Sequence, residues 1–190
     1  MHGDGGRVSW EAIFGNAHAV EVEVGPGRGE TLFAAAAAAP ARNFFAIERT
    51  LRAVEALRRG AARRGLANVR AVAADARCVI ARLVPDASVA AYHVYFPDPL
   101  PKRRHHGRRL VSPAFAPHFR RTLAPGGVLH LATDLPALRD AYAADLVAAG
   151  LVRVPDAPSR ARPTTHFERR YATGGTHQAH FVRPAHGAPR

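Results

Sequence analysis

Residues 89–109 read VAAYHVYFPDPLPKRRHHGRR, and this stretch decides how the rest of the chain is interpreted. Its first seven residues are a largely apolar run, which is typical of a buried strand. Pro97, Pro99 and Pro101 then lack N–H donors and fix the backbone, which excludes both a helix and a central strand. We therefore expect a rigid, extended loop at a strand end, carrying one carboxylate, Asp98, and then the cationic run Lys102–Arg109.

One carboxylate held by prolines beside many cations suggests a site at which an anionic polymer lies and one of its groups is handled. A solvated surface loop, whose acid pairs with a neighbouring arginine, is the alternative interpretation. On the C-terminal side of the loop, Ser112 is expected to cap a helix over residues 113–123, with Pro113 at its first position.

Composition limits the class of protein. A chain of 190 residues with 47% hydrophobic residues predicts one globular domain with a substantial core. The net charge of +12 favours a polyanionic partner, since bound cations release the counterions of phosphates. The single cysteine, Cys78, excludes an internal disulfide and a cysteine-based zinc site, so a reducing cytoplasm is the expected location. The apolar run at residues 32–41 contains Pro40 and is too short to cross a bilayer, and no signal peptide is expected.

Strand and helix patterns alternate along the chain. Strands are predicted over residues 19–24, 43–47, 68–73, 89–95 and 128–132, with a last one over 177–183. Helices are predicted over residues 30–39, 49–64, 77–83, 113–123 and 135–149. Gly65 and Gly150 are expected to cap helix C-termini, Asp134 to cap an N-terminus, and residues 124–127 to form a turn. The alternation predicts an α/β fold with a parallel sheet and right-handed crossovers.

Acidic residues lie at or beside the ends of five predicted strands: Glu23, Glu48, Asp75, Asp98 and Asp134. Ligands of open α/β sheets bind beyond the carboxyl ends of the strands. We therefore expect these side chains to border one ligand site.

Gly25, Gly27 and Gly29 follow the first strand and let the backbone approach a ligand before a helix begins. Their spacing differs from G-x-G-x-x-G, so the pyrophosphate of a dinucleotide is less favoured. A glycine-rich loop by itself is weak evidence for any ligand.

Three of the acids suggest which ligand is bound. Glu48 is positioned to accept two hydrogen bonds from ribose hydroxyls, Asp75 to accept one from the exocyclic amine of adenine, and Glu23 to hold an ammonium group. A ligand with these three groups is S-adenosylmethionine. It fits the acids better than NAD, whose pyrophosphate they would repel.

Five motifs resemble those of the bacterial tRNA (guanine-N7)-methyltransferases. They are EVGPGRG at residues 23–29, FAIE at 45–48, FPDP-x-PK-x-RH-x-x-RR at 96–109, HLATD at 130–134 and RPTTHFERR at 162–170. The resemblance covers residues 13–181. The proline–aspartate loop and the Thr-x-Phe-Glu segment are the parts specific to that family.

The resemblance implies a single-domain class I methyltransferase of Rossmann-like fold, with a mostly parallel seven-stranded sheet and helices on both faces. The domain is expected over residues 17–184, after a short N-terminal segment of residues 1–16 and before a tail of residues 185–190. The implied reaction transfers a methyl group from S-adenosylmethionine to N7 of the variable-loop guanine of tRNA. A cytoplasmic monomer or homodimer, with no metal and no membrane partner, is expected to carry it out.

The resemblance also implies roles for individual residues. Those on the cofactor side are Glu23, Gly25, Gly27, Gly29, Glu48, Asp75 and Asp98, and Asp98 is also the implied catalytic residue. Those on the substrate side are Lys102, Asp134, Thr165, His166, Phe167 and Glu168. Contacts to RNA phosphates, which position the RNA without reading its sequence, are expected from Arg103, Arg104, Arg108 and Arg109.

Three other functions remain open. A class I methyltransferase acting on another RNA or on a small molecule is favoured by Leu100 and His166, which stand where the family usually has tryptophan and lysine. A non-catalytic RNA-binding relative would have no need of Glu48 to hold a ribose. An NAD-dependent oxidoreductase is disfavoured by the glycine spacing and by the lack of a hydride-transfer pair such as Tyr-x-x-x-Lys.

The aromatic residues divide into packing and binding candidates. Phe167 is the ring expected to contact a flipped base. Trp10 and Phe14 are expected to hold the N-terminal segment on the core. Rings expected inside the core are Phe44, Phe45, Phe115 and Phe119.

Overall fold

The computed structural model describes residues 6–100, 102–155, 163–171 and 174–185. Pro101 and Arg162 of the motifs lie outside these ranges, as do residues 186–190 of the predicted tail. The strands are β1 (Val20–Val24), β2 (Asn43–Glu48), β3 (Val69–Ala73), β4 (Val89–Tyr95), β5 (Leu123–Thr133), β6 (Val152–Val154) and β7 (His177–Val182). The helices are α1 (Trp10–Phe14), α2 (Glu30–Ala38), α3 (Leu51–Arg63), α4 (Ala76–Cys78), α5 (Ala116–Thr122), α6 (Pro136–Ala148) and α7 (His166–Tyr171). A π-helical segment, Val79–Leu83, continues α4, and Arg103–Arg108 form a 3-10 helix.

The strands form one seven-stranded sheet in the order β3-β2-β1-β4-β5-β7-β6. β7 is antiparallel to both of its neighbours, whereas β1 to β5 pair in parallel. The expected mostly parallel sheet is therefore confirmed. The strand order reverses between β1 and β4, and such a switch point opens a crevice at the carboxyl edge of an α/β sheet.

Helices cover both faces of the sheet, as β2 illustrates. Phe45 and Ile47 belong to a hydrophobic cluster with residues of α5 and α6, whereas Phe44 and Ala46 belong to a second cluster with α2 and α3. Successive residues of a strand point to opposite faces, so these two clusters are the two sides of the core. The four phenylalanines expected in the core are all buried.

Several local predictions are confirmed. β4 has the predicted bounds, and Gly65 and Gly150 adopt positive φ angles of 65° and 87° just after α3 and α6, where glycine avoids a Cβ clash. The Trp10 ring lies 5.1 Å from that of Phe45, and Phe14 is buried, so α1 is packed on the core.

Neither predicted N-terminal side-chain cap forms. α5 begins at Ala116, later than predicted, and the buried Ser112 hydroxyl has no hydrogen-bond partner among the described residues. The Ser112 carbonyl instead accepts from the Ala116 N–H at 2.8 Å. Before α6, the N-cap residue is Leu135, which has no side-chain cap, and its own N–H donates to the buried Thr133 hydroxyl at 3.2 Å.

The prediction of an extended conformation is wrong for the cationic run. The His105 N–H donates to the Lys102 carbonyl at 2.7 Å, and the Arg109 N–H to that of His106 at 3.0 Å. Beyond the prolines every backbone N–H is available, so the chain closes the i→i+3 hydrogen bonds of a 3-10 helix.

Three elements, α1, β6 and α7, have no counterpart among the predicted helices and strands. Residues 124–127 lie within β5 instead of forming a separate turn, and they bulge where the β4–β5 register shifts between Val89 and Ala91. Within the described ranges, no helix combines the length and apolar character needed to cross a membrane.

Candidate active site

Three of the predicted acids meet in one cavity at the carboxyl edge of the sheet. This cavity, which we call the acidic cavity, has a volume of about 610 Å³ and is lined by Glu48, Asp75 and Asp98. Glu48 ends β2, Asp75 follows β3 and Asp98 follows β4, so the parallel strands bring together carboxylates that are far apart in sequence. The expectation that the acids share an edge is confirmed for these three.

A second cavity of about 210 Å³ adjoins the first and is called the glycine-loop cavity. It is lined by Glu23 and the glycine loop on one side and by residues 165–167 on the other. Gly25, Tyr95 and Phe96 line both cavities. The structure therefore brings the predicted cofactor and substrate segments to one boundary. Asp134 is half-buried and lines neither cavity.

Gly29 is required by the packing of the glycine loop. Its φ is 78°, and a Cβ atom there would lie 2.7 Å from side-chain atoms of both Phe33 and Leu57. The residue N-caps α2 without a side chain, which leaves the turn between β1 and α2 open to a ligand. Gly25 and Gly27 also have positive φ angles, of 66° and 56°.

Backbone hydrogen bonds fix the direction of two carboxylates in the acidic cavity. Glu48 Oε1 accepts from the Arg49 N–H at 2.6 Å, and Asp75 Oδ1 accepts from the Arg77 N–H at 2.8 Å. Asp75 is thereby the N-cap of α4. Each side chain is held by one oxygen, so its orientation is set before a ligand arrives.

The loop that carries Asp98 is bent at both ends. Phe96 and Leu100 have φ angles of 50° and 41°, in the left-handed region that residues other than glycine rarely adopt. The Phe96 N–H is anchored on the Ala132 carbonyl of β5 at 2.7 Å. Strained backbone of this kind persists only where its surroundings over-determine it, and it concentrates at functional sites. Asp98 is exposed at the cavity between these two bends.

Arg109 differs from the other cations of the basic run. It is half-buried, and its Nε donates to the Pro99 carbonyl at 2.8 Å, which braces the Asp98 loop from beneath. The Arg109 carbonyl in turn accepts from Arg77, whose guanidinium lies 4.7 Å from the Phe115 ring centre. This geometry gives Arg109 a structural role that sequence reasoning missed.

The other basic residues face outward. Arg108 is exposed and lines the acidic cavity. Lys102 and Arg104 are also exposed, and they lie a few residues before Arg108 in the sequence. Within the described part of the chain, no group of three or more His, Cys, Asp or Glu side chains is arranged to hold a metal ion.

Thr165 and Glu168 organise α7. The Glu168 carboxylate accepts from the Thr165 N–H at 2.8 Å, and the Thr165 hydroxyl accepts from the Glu168 N–H at 3.2 Å. This reciprocal pair is a capping box, and the Thr-x-x-Glu spacing is a sequence signal that would have predicted the helix. The other Glu168 oxygen accepts from the Thr176 hydroxyl at 2.9 Å.

Glu30 connects α7 to the glycine loop, and sequence reasoning missed it as well. Its carboxylate forms an ion pair with Arg169 and accepts from the His166 N–H. Burial acts to raise the pKa of Glu30, but these contacts outweigh it and hold the pKa below its usual value. Beside this connection the Phe167 ring packs on the Phe96 ring with centres 4.7 Å apart, and the residue stays 37% exposed.

Comparison with known proteins gives this site its context. A family described as "Putative methyltransferase" matches residues 17–180. A tRNA (guanine-N(7)-)-methyltransferase of Chromohalobacter salexigens is 44% identical over 142 residues, which cover 75% of this chain and 56% of that protein. One of Nitrosococcus oceani is 37% identical over 179 residues, which cover 93% and 74%. The chain thus spans just over half the length of the first relative and about three quarters of the second.

The fold is shared with solved methyltransferases. The crystal structure of the 16S rRNA methyltransferase KamB has a TM-score of 0.66 at 18% identity, covering 96% of this chain and 94% of that one. The seven-stranded sheet of this chain is therefore that of the class I methyltransferases. Together with the family match and the curated relatives, it shows that the chain belongs to the bacterial tRNA (guanine-N7)-methyltransferase family.

Proposed function

We propose that this chain transfers a methyl group to N7 of a guanine in tRNA, with the variable-loop guanine as the target. The observation that carries the proposal is the meeting of two cavities at Tyr95 and Phe96. One cavity bears the carboxylates that suit a cationic nucleoside, and the other is bordered by residues 165–167 of the family-specific segment. The reaction is assigned to the cytoplasm and to a monomer or homodimer.

Family membership implies S-adenosylmethionine as the methyl donor. When bound, it supplies an electrophilic methyl group on a cationic sulfur. Glu48 would hold the ribose hydroxyls and Asp75 the adenine amine, since both carboxylates are already oriented toward the acidic cavity. Glu23 would hold the ammonium group beside Gly25 and Gly27, and like the other acids it attracts a cationic ligand and repels a pyrophosphate.

Guanine N7 carries a lone pair and no proton, so the chain needs no general base to create the nucleophile. Its task is to align N7 with the methyl carbon and the sulfur, which is catalysis by orientation. The product ring is cationic, and a fixed carboxylate stabilises the charge as it develops. Asp98 would supply that carboxylate and accept hydrogen bonds from the guanine N1–H and amino group.

The segment Thr165–Glu168 would receive the base. Phe167 offers an exposed ring against which a flipped guanine can stack, and Phe96 supports that ring from behind. Thr165 and Glu168 would act by holding α7 in shape, since their polar atoms form the capping box. His166 borders the glycine-loop cavity, and Asp134 remains a candidate for the guanine edge.

The basic run would hold the RNA backbone. Arg108 is exposed at the acidic cavity, and Lys102 and Arg104 are exposed a few residues earlier in the same run. All three can neutralise phosphates, which positions tRNA without reading its sequence. Arg103 belongs to the same run, whereas Arg109 would act through the Asp98 loop that it braces.

The deciding experiment incubates the purified chain with S-adenosylmethionine labelled in its methyl group and an unmodified tRNA transcript. A matched transcript carries adenine in place of the variable-loop guanine. The expected result is labelled 7-methylguanosine from the first transcript and none from the second. Label in both transcripts would move the target to another guanine. Cofactor binding without label in either would favour a different substrate, with Leu100 and His166 as the first residues to examine.

A further inference from the structure

The α2-side face of the central strands carries a buried line of ionisable side chains. Glu21 of β1 keeps 5% of its side-chain surface exposed and His93 of β4 keeps 13%. Packing polar residues between a sheet and a helix is costly unless their hydrogen bonds are satisfied. The mechanism proposed above uses neither of these residues.

These groups are connected in a chain of hydrogen bonds that we call the buried relay. Arg42 Nη1 donates to Glu21 Oε1 at 2.8 Å, and Glu21 Oε2 lies 2.9 Å from His93 Nε2. His93 Nδ1 lies 2.9 Å from the hydroxyl of Tyr95. The ring of His130 stacks on that of His93, with ring centres 5.1 Å apart and an angle of 12° between the ring planes. This stacking fixes the plane of the His93 imidazole.

The buried relay has a defined direction. A carboxylate paired with arginine only accepts hydrogen bonds, so His93 Nε2 must carry a proton to meet Glu21. In the neutral ring Nδ1 is then the acceptor, and the Tyr95 hydroxyl donates to it. Arg42 and Glu21 therefore select the tautomer of His93 that can anchor Tyr95.

Tyr95 lies at the place where the reaction needs precision. It ends β4 and lines both the acidic cavity and the glycine-loop cavity. It also lines a third cavity of about 520 Å³ that contains Glu21, His93 and His130. The next residue is Phe96, where the left-handed bend leading to Asp98 begins.

We propose that Arg42, Glu21 and His93 form a positioning relay that holds Tyr95 at the boundary of the two cavities. Tyr95 is thereby a further residue of the site, a fixed wall between donor and base, and the relay acts on the reaction through it. A misplacement of the order of an ångström at reacting atoms lowers a rate steeply, which is why a rigid anchor matters here. The inference deepens the proposed function and rests on it for the identity of the reaction.

The kinetic test compares His93→Leu, His93→Gln and Tyr95→Phe with the wild-type chain. Leucine fills the space but makes neither hydrogen bond, whereas glutamine can donate its amide N–H to Glu21 and accept from Tyr95 with its oxygen. We expect His93→Leu to lower kcat by about tenfold or more, with little change in KM for tRNA. Tyr95→Phe is expected to change kcat in the same direction, and His93→Gln to recover most of the loss.

His118→Leu is the matched control, because His118 lies in α5 on the other face of the sheet. It is expected to leave kcat unchanged. The proposal is overturned if His93→Leu and Tyr95→Phe turn over as fast as the wild-type chain. It is also overturned if glutamine and leucine at position 93 lower kcat equally, because the loss would then not depend on the hydrogen bonds.

A spectroscopic test separates this inference from the proposed function. Nitrogen NMR of the wild-type chain labelled in histidine is expected to show His93 as the tautomer with its proton on Nε2. Tyr95→Phe is expected to shift only the Nδ1 signal, since that atom loses its donor. A proton on Nδ1 would overturn the relay. A wild-type chain that methylates no tRNA would overturn the proposed function, while the NMR pattern would still decide the relay.

Discussion

The Glu168 carboxylate accepts a hydrogen bond from the backbone N–H of Thr165 at 2.8 Å, and the Thr165 hydroxyl accepts one from the Glu168 N–H at 3.2 Å. Two residues expected on the substrate side thus engage each other. Their contact starts the helix that presents Phe167 to the glycine-loop cavity. In the proposed reaction the segment would act on the base through the shape of α7 as well as through its position.

This capping box gives the first prediction. Glutamine also completes a capping box, so Glu168→Gln is expected to keep α7 formed and methyl transfer close to wild type. Glu168→Ala is expected to cost about 1 kcal/mol of local stability and to lower transfer. Hydrogen exchange of residues 166–171 and the methylation rate measure both effects. A glutamine variant that is inactive although α7 stays protected would mean that the charge itself contacts the substrate.

Asp98 is expected to be indispensable for the reaction and dispensable for the fold. It is exposed in the acidic cavity, so Asp98→Ala removes a carboxylate without opening the core. We expect methyl transfer to fall by about a hundredfold or more, with an unchanged melting temperature. Asp140→Asn, an exposed acid on α6, is the control. Near-wild-type turnover of the Asp98 variant would remove Asp98 from the reaction centre.

The basic run is expected to divide by function. Arg104→Ala and Arg108→Ala should weaken tRNA binding and reduce the slope of log K against log salt by about one for each phosphate that is no longer neutralised. Arg109→Ala should instead lower kcat and leave the slope unchanged, because Arg109 braces the Pro99 carbonyl. Arg63→Ala, at the far end of α3, is the matched control. If all four variants show the same salt dependence of tRNA binding, the basic run is a solvated surface loop and does not contact the RNA.

Glu30 is expected to hold α7 over the glycine loop. Glu30→Ala removes the ion pair with Arg169 and the acceptor of the His166 N–H, so hydrogen exchange of α7 should rise and methyl transfer should fall. The double-mutant cycle with Arg169→Ala should give a coupling of about 0.5 kcal/mol, as is usual for partly exposed pairs. If the stability losses of the two single variants add up to that of the double variant, Glu30 and Arg169 act separately.

Asp86 predicts a pH dependence of stability. The hydrogen bond from Arg121 lowers the pKa of Asp86 below its ordinary 3.8, burial opposes this, and the charges of Arg121 and Arg7 add to the lowering. A carboxyl with a lowered pKa stabilises the fold above its unfolded-state pKa and loses that contribution as the pH falls through its folded-state pKa. Asp86→Asn should therefore lower the melting temperature at neutral pH. The difference should shrink as the pH falls below 3.8 and vanish below the folded-state pKa of Asp86, and a difference that stays constant through this range would exclude this cause.

Much of the architecture follows from the sequence alone. Alternating apolar patterns and turn residues are local signals, and they predict β4 to the residue and the positions of Gly65 and Gly150. The order of elements then predicts a parallel sheet, and a parallel sheet brings Glu48, Asp75 and Asp98 to one edge. These conclusions need only hydrogen bonds and periodicity within a few residues.

The tertiary structure decided what those side chains meet. Glu30 and Arg169 are 139 residues apart, and His93 and Glu21 are 72 apart, so no local pattern indicates either contact. The same holds at the start of α6, where Leu135 is the N-cap in place of Asp134 and its N–H donates to the buried Thr133 hydroxyl. Local sequence fixes where a chain turns and which residues reach an edge. Which polar atoms then pair depends on how the elements pack, since a buried polar group must take whichever partner the packing brings within reach.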